Sequence, residues 1–243
     1  MKYQTKFIQK LTDEKKSTLQ KYKEIVIGSS AWSDFIYYEI VITFFSSLSG
    51  ATGLLVRKLL YPRLLAHAGK SIVFGKNVTF RCPSQIEMGS NVVIDENCLL
   101  DGRGPEKINL KIGNNVFLGR GCLLSCHDGS ISIGDNTNIG PGGIIISGSS
   151  IVIGNNIIMA GNCFIAATTK NIEELDIPII AQGSIGEGVK IGDNTWLGSG
   201  AIVNDGVTIG QDCVIGAGAV VTSNIPDYYI AYGVPAKPVR ARK

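Results

Sequence analysis

The feature that most limits how this chain can fold is a spacing of six. Large aliphatic residues recur at Ile191, Leu197, Val203, Ile209, Ile215 and Val221. Most of them open a unit of the form aliphatic–Gly–x–x–small–x, as in IGDNTW, LGSGAI, IGQDCV and IGAGAV. The fifth position holds Thr195, Ala201, Val207, Cys213 and Ala219, all compact. A buried helix face repeats every three or four residues and a half-buried strand every second, so neither explains a strict six. A parallel β-helix does, each hexapeptide making one short strand and one corner. The aliphatic residue fills the interior, the compact one fits the crowded corner, and glycine or asparagine accepts the turn backbone. A single coil cannot bury its own apolar side, and stacking coils can.

Grouped in threes, the same count runs back through Met88/Ile94/Leu100, Ile112/Leu118/Leu124, Ile133/Ile139/Ile145, Ile153/Met159/Ile165, Ile191/Leu197/Val203 and Ile209/Ile215/Val221. Spacing within a triple is always six, while spacing between triples is 12, 9, 8, 26 and 6. Every surplus therefore leaves at one corner of a three-sided prism. Phe74 and Phe80 suggest a partial opening coil. The largest surplus is the stretch FIAATTKNIEELDIPIIAQG from Phe164 to Gly183, and the smaller bulges DGRGPEKIN and CHDGS stack on the same edge. Insertions gathered on one face of a solenoid mark its binding face. The expected architecture is an all-β solenoid over 69–225 with a loop projecting over 166–186. Before it lies a helical region, 1–68, and after it a short basic tail, 226–243.

Composition narrows the function. With 243 residues and 44% hydrophobic content the chain can bury a sizeable core. A net charge of +3 and the lack of any nucleic-acid motif exclude nucleic acid as the expected partner. Cys82, Cys98, Cys122, Cys126, Cys163 and Cys213 form no CxxC pair, so they read as small buried thiols in a reducing compartment. His67 and His127 are the only histidines. No metal site is expected, and a zinc enzyme needing three histidines is excluded.

The hexapeptide units, and above all the closing run WLGSGAIVNDGVTIGQDCVIGAGAVVTSNIPDYYIAYGVPAKPVR, resemble the hexapeptide-repeat acyltransferases, most closely the sugar O-acetyltransferases of surface-polysaccharide synthesis. The resemblance implies a left-handed parallel β-helix working as a homotrimer, although ordinary parallel crossovers are right-handed. It implies acetyl transfer from acetyl-CoA to a sugar hydroxyl, with the donor lying between subunits against the last coils. Gly198, Gly200, Ala201, Gly216, Ala217 and Gly218 are small enough to admit a thin pantetheine arm. Trp196 is expected to line the acyl site. Lys237 and Arg240, with Arg242 and Lys243, form a basic tail suited to phosphates.

A hydroxyl acceptor needs a general base, usually histidine, whose ordinary pKa of about 6.5 suits neutral pH. In the resembled family that histidine commonly stands in the long loop, about eight residues before a Pro-Ile pair. Here Pro178-Ile179 is present and Lys170 occupies the histidine's place. An ordinary lysine, near pKa 10.4, serves as a base only when deeply desolvated. His127, with Asp128 to orient it, is the second candidate. It follows Leu124 by three positions as Thr168 follows Ile165, which places the two on one edge, roughly 10 Å apart along it. Two other functions remain open: N-acetylation of an amino-sugar nucleotide, and saccharide binding by a catalytically weakened member.

Residues 1–24 are charged and lack an apolar signal core, so a cytoplasmic location is expected. Residues 40–56 are uncharged but too few to span a bilayer comfortably, and Arg57, Lys58 and Arg63 follow. Two readings of this segment stand side by side. One is a cap over the open end of the solenoid. The other is a set of helices at a membrane interface, bringing the enzyme peripherally to a lipid-linked saccharide.

Overall fold

The structure is a computed structural model that describes residues 15–242. Residues 1–14 and Lys243, parts of the charged opening stretch and of the basic tail, lie outside the described residues. From His67 onward the chain winds into parallel coils whose strands form three sheets. The first face runs from His67–Ala68 through Ile86–Met88, Leu110–Ile112, Ser130–Ile133, Ser150–Ile153 and Val189–Ile191 to Thr208–Ile209. The second runs from Val73–Phe74 through Val93–Ile94, Phe117–Leu118, Asn138–Ile139, Ile158–Met159 and Trp196–Leu197 to Val214–Ile215, then on to Tyr229–Gly233 and Ala236–Ala241. The third runs from Thr79–Arg81 through Leu99–Asp101, Leu123–Ser125, Ile144–Ser147, Phe164–Ala167 and Ile202–Val203 to Val220–Val221.

The register is the one the spacing of six predicts. Met88, Ile112, Ile133, Ile153, Ile191 and Ile209 pair in succession along the first face. Ile94, Leu118, Ile139, Met159, Leu197 and Ile215 do so along the second. Leu100, Leu124, Ile145, Ile165, Val203 and Val221 complete the third. All are buried. Each coil turns from first to second face on one left-handed residue: Ser71, Asn91, Asn115, Asn136, Asn156, Asn194 or Asp212, with φ of 56–58°. Asparagine visits that region more readily than most side chains. Stacking then lets the Asn91 amide donate to Asn115 at 3.1 Å, Asn115 to Asn136 at 2.9 Å and Asn136 to Asn156 at 3.1 Å.

Three expectations change at the ends. The opening coil is complete, because His67–Ala68 pairs with Glu87–Met88; His67 is an exposed strand residue, not part of a helix. The basic tail is a folded hairpin, in which Tyr229–Gly233 adds to the second face and Ala236–Ala241 pairs antiparallel with it. The uncharged run 40–56 is broken: helix α2 (Trp32–Phe45) ends before Ser46–Ser49, and helix α3 (Gly50–Leu60) follows, both preceded by the short α1 (Thr18–Tyr22).

These helices close the first coil. The Tyr61 ring sits between Phe74 and Phe80, centroids 5.2 and 5.4 Å away, and its hydroxyl donates to the Val78 carbonyl at 3.2 Å. The Tyr38 hydroxyl donates to the Phe80 carbonyl at 2.6 Å. Arg57 is 1% exposed yet faces only carbonyls: Nε donates to Phe74 at 3.0 Å, and Nη1 to Leu48 at 2.7 Å and Phe45 at 3.3 Å. The guanidinium thus occupies the negative end of α2 and ties it to the first coil. Burial lowers its pKa, as expected of a desolvated cation. Arg57→Ala leaves those carbonyls unpaired and opens a cavity, and is expected to cost about 3 kcal/mol, read as a lower midpoint in denaturant unfolding.

Candidate active site

All insertions leave at the edge between the third face and the first, where segments 102–109, 126–129, 148–149, 168–188 and 204–207 stack. At its lower end Asp101, 2% exposed, receives Arg103 in a fork, with Nε to Oδ1 at 3.0 Å and Nη2 to Oδ2 at 2.7 Å. The Ser125 hydroxyl approaches the same carboxylate at 3.5 Å from the next coil. Burial works against the Arg103 cation, yet the bond and charge of Asp101, with Asp128 adding, outweigh it and raise the pKa. Neither Asp101 nor Arg103 was singled out by spacing; the only signal was DGRG at the root of an insertion.

His127 and Asp128 form the turn above. Gly129 N–H and Asp128 N–H both donate to the Cys126 carbonyl, at 2.5 and 2.8 Å, which closes a turn too tight for ordinary dihedrals. His127 takes φ 44° and Asp128 φ 135°. Two successive non-glycine residues in positive φ store about 1–3 kcal/mol each, a pattern that gathers at functional sites. Both side chains are exposed. Beneath the turn lies Ser147 Oγ, buried with no hydrogen-bond partner among the described residues. A Cβ built on Gly129 would fall 2.7 Å from it. A buried hydroxyl left unpaired is unusual in a core.

The long loop rises two coils further on. Thr168 stacks on Gly148, where a Cβ would meet its Oγ1 at 2.7 Å. Its stem is a short hairpin, Thr169–Lys170 against Ser184–Ile185. Gln182 organises the tip, donating to the Glu174 and Ile177 carbonyls at 2.6 and 2.8 Å and accepting from Glu174 N–H at 3.0 Å. Lys170 is exposed and donates to Ser184 Oγ at 2.8 Å, so its own chain supplies none of the desolvation a lysine base requires. Outside, the loop shows Ile172, Leu175 (97% exposed), Ile179, Ile180 and Ile185 to solvent.

The residues assigned to the donor lie elsewhere, on the second face and the edge between second and third. Trp196 is half exposed, and Val214, Ile230 and Arg240 continue its column in register. Three ladder steps separate Trp196 from Arg240, roughly 14 Å. Gly200 and Gly218 hold φ of 69° and 66°, and a Cβ on either would meet nothing within 4 Å, so bare backbone borders open space there. Ala217 and Lys237 are exposed nearby in sequence and strand order. Gly198 and Ala201 do not line this edge. Ala201 is buried inside the corner, and a Cβ on Gly198 would lie 2.5 Å from Ala217 N, so both serve stacking. Among the described residues no group of three or more His, Cys, Asp or Glu could hold a metal ion.

A three-faced prism of six-residue units, with one edge kept bare by glycine and another carrying a long loop, defines a hexapeptide-repeat β-solenoid protein. Residues 188–223 match the family described as bacterial transferase hexapeptide (six repeats). Over 139 residues, 57% of the chain, the sequence is 40% identical to a probable acetyltransferase of Mycobacterium tuberculosis, and that match spans 46% of the relative's length. An N-acyltransferase from Bacillus cereus, in complex with dTDP and 3-hydroxybutyryl-CoA, shares the fold at a TM-score of 0.55 and 20% identity, over 82% of this chain and 90% of that one. A maltose O-acetyltransferase from Clostridium difficile 630 aligns at 0.48 and 24% identity over 86% of each chain.

Proposed function

We propose that this protein moves an acetyl group from acetyl-CoA to a sugar hydroxyl of a surface polysaccharide or its precursor, working as a homotrimer. The 40% identity to a probable acetyltransferase supports the transfer. The observation that carries the proposal is that the two halves of the site stand on different edges of one prism. Trp196, Gly200, Ala217, Gly218, Lys237 and Arg240 would hold the donor. His127, Asp128 and Lys170 would meet the acceptor across the width of the third face, up to about 20 Å for six extended residues. One chain cannot close that gap. A neighbouring copy can, its bare edge meeting the loop of the first.

The third face supports the presence of such a neighbour. Leu99, Leu123, Ile144, Phe164, Ile202 and Val220 form one outward column in unbroken register. A contiguous apolar strip of this kind on an outer face marks an interaction surface. The exposed isoleucines of the loop add to it. Within the assembled cleft His127 takes the hydroxyl proton as the sugar oxygen attacks the thioester carbonyl, the C–S bond breaks, and CoA leaves as a thiolate that takes that proton back from the imidazolium. Asp128 orients the imidazole, and Lys170 holds the acceptor through charge. An amine acceptor on an amino-sugar nucleotide is the second reading. It is favoured by Lys170 standing where the loop histidine is expected, since a neutral amine attacks without prior deprotonation.

The test combines acetyl-CoA titration with transfer assays on sugar and amino-sugar-nucleotide acceptors. Native protein is expected to bind acetyl-CoA. Lys237→Ala with Arg240→Ala is expected to raise KM for acetyl-CoA about tenfold, the effect of losing about 1.4 kcal/mol of phosphate contact, with kcat within twofold. No affinity for CoA in the native protein would end the proposal, and faster turnover on an amino sugar would move it to N-acylation.

A further inference from the structure

The two readings of the N-terminal segment describe opposite sides of the same helix. Tyr38 and Val41 bury one side of α2 against the first coil. Trp32, Ile36, Ile40 and Phe44, each four residues after the last, line the other side at 60, 51, 46 and 65% exposure. A soluble helix that packs on one side normally shows polar residues on the other. Here Ser33 and Thr43 are the main polar groups on the outer side. On α3, Leu55 and Leu59 are exposed as well, with Lys58 between them.

We propose that this outer side of the cap rests on an anionic bilayer surface. Charge supports lipid as the occupant. Residues 15–65 contain seven Lys or Arg against three carboxylates; Lys23 and Arg57 are buried, which leaves five basic side chains at the surface, and the carboxylates are engaged within the cap. Glu24 pairs with Lys16 at 2.6 Å, Glu39 accepts from the Tyr22 hydroxyl at 2.7 Å and Asp34 from the Ser29 hydroxyl at 2.5 Å. Lys58 and Arg63 are exposed at the far end of the cap from Trp32 in sequence. At the other end the exposed Trp32 ring covers the ammonium of Lys23 at 4.4 Å; Lys23 is buried and donates to the Ser30 carbonyl, so it is the indole that is offered to headgroups. Helix α2 itself carries no Lys or Arg, so the basic charge that meets an anionic surface comes from Lys58 and Arg63 of the following segment, and an apolar stripe with such a cluster beside it suits a helix lying in the interface plane.

Length decides that α2 lies on the membrane instead of crossing it. Fourteen residues reach only about 21 Å, against roughly 30 Å of hydrocarbon. No single helix among the described residues is long and apolar enough to span, and the segments Thr18–Ile27 and Trp32–Phe45 meet at a bend of 72°. A second copy of the chain is the competing occupant. The apolar columns of the second and third faces run along the prism, whereas the stripe on α2 points away from the first coil, to which Tyr38 bonds. In a ring of parallel prisms all three stripes come to one end, where a flat surface engages them together and linkage multiplies weak single contacts. The membrane inference rests on the stripe and its charges, and holds whichever acceptor the enzyme uses.

The test is co-sedimentation of the intact chain with vesicles of phosphatidylglycerol and phosphatidylcholine mixed, and of phosphatidylcholine alone, at 0.1 M salt. Binding to the mixed vesicles is expected to exceed binding to the neutral ones by tenfold or more. Trp32→Ser with Phe44→Ser should lower it at least tenfold with solution mass unchanged. Since Trp32 and Trp196 are the only tryptophans, Trp196→Phe leaves Trp32 as sole reporter, and its emission should shift to the blue on the mixed vesicles. No binding to either vesicle, binding that ignores the paired serine substitution, an unshifted Trp32, or a drop in solution mass in the serine variant would each overturn the proposal, the last by showing that a second copy covers the stripe.

Discussion

His127→Asn is expected to lower kcat for acetyl transfer by two to four orders of magnitude, the usual worth of a positioned general base, while leaving acetyl-CoA affinity unchanged. The fold should not suffer, because asparagine adopts the φ of 44° that His127 holds more readily than most residues do. His127→Gly should go further and raise the unfolding midpoint slightly, since glycine removes the stored backbone strain. A variant that is at least as stable yet nearly inactive separates chemistry from structure. Lys170→Ala is the control, expected to raise KM for the sugar with less than a tenfold effect on kcat. If the lysine variant loses turnover while His127→Asn keeps it, the base assignment is wrong and the burial missing at Lys170 must come from the neighbouring subunit.

The register of the solenoid was legible because its code is one-dimensional. A six-residue side has one interior slot, and an aliphatic residue at Ile191 or Leu124 can take no other place. The corner that carries every insertion followed from arithmetic alone. The ends were less legible, since there the code lapses. Ala68 completes the opening coil without a large side chain, because the Tyr61 ring from the cap fills the interior beside Phe74 and Phe80. The last hairpin pairs antiparallel, so Lys237 and Arg240 follow strand alternation instead of the hexapeptide count. The candidate site was readable only as positions. Spacing put His127 and the long loop on one edge, but the separate edge of the glycines, Asp101 gripping Arg103, the strain at His127 and the unpaired Ser147 hydroxyl appear only in the folded coils and are recorded by no local pattern. The helix stripe was hidden for a related reason: with both sides of α2 apolar, periodicity could not tell the packed side from the exposed one.

Ile144→Lys with Phe164→Lys is expected to break the assembly and abolish transfer, by at least a thousandfold, with the far-ultraviolet spectrum intact. Both residues point outward from the third face, so neither substitution touches the coil interior. Each would place an unpaired ammonium in an apolar seam where about 1.5–3 kcal/mol of side-chain burial had been. In a closed ring the same substitution strikes all three interfaces at once. Light scattering should then report the mass of one chain, where the native protein is expected to show three. A sharper consequence follows from the split site. Co-expressing His127→Asn chains with Ala217→Trp chains, one lacking the base and the other blocked at the donor edge, should restore activity, because a cleft joining a native loop to a native edge occurs in about a quarter of randomly mixed contacts. Each variant alone stays inactive. Mixed trimers without activity would place both halves of the site in one subunit, and a native protein fully active as a single chain would remove the reason for the apolar column altogether.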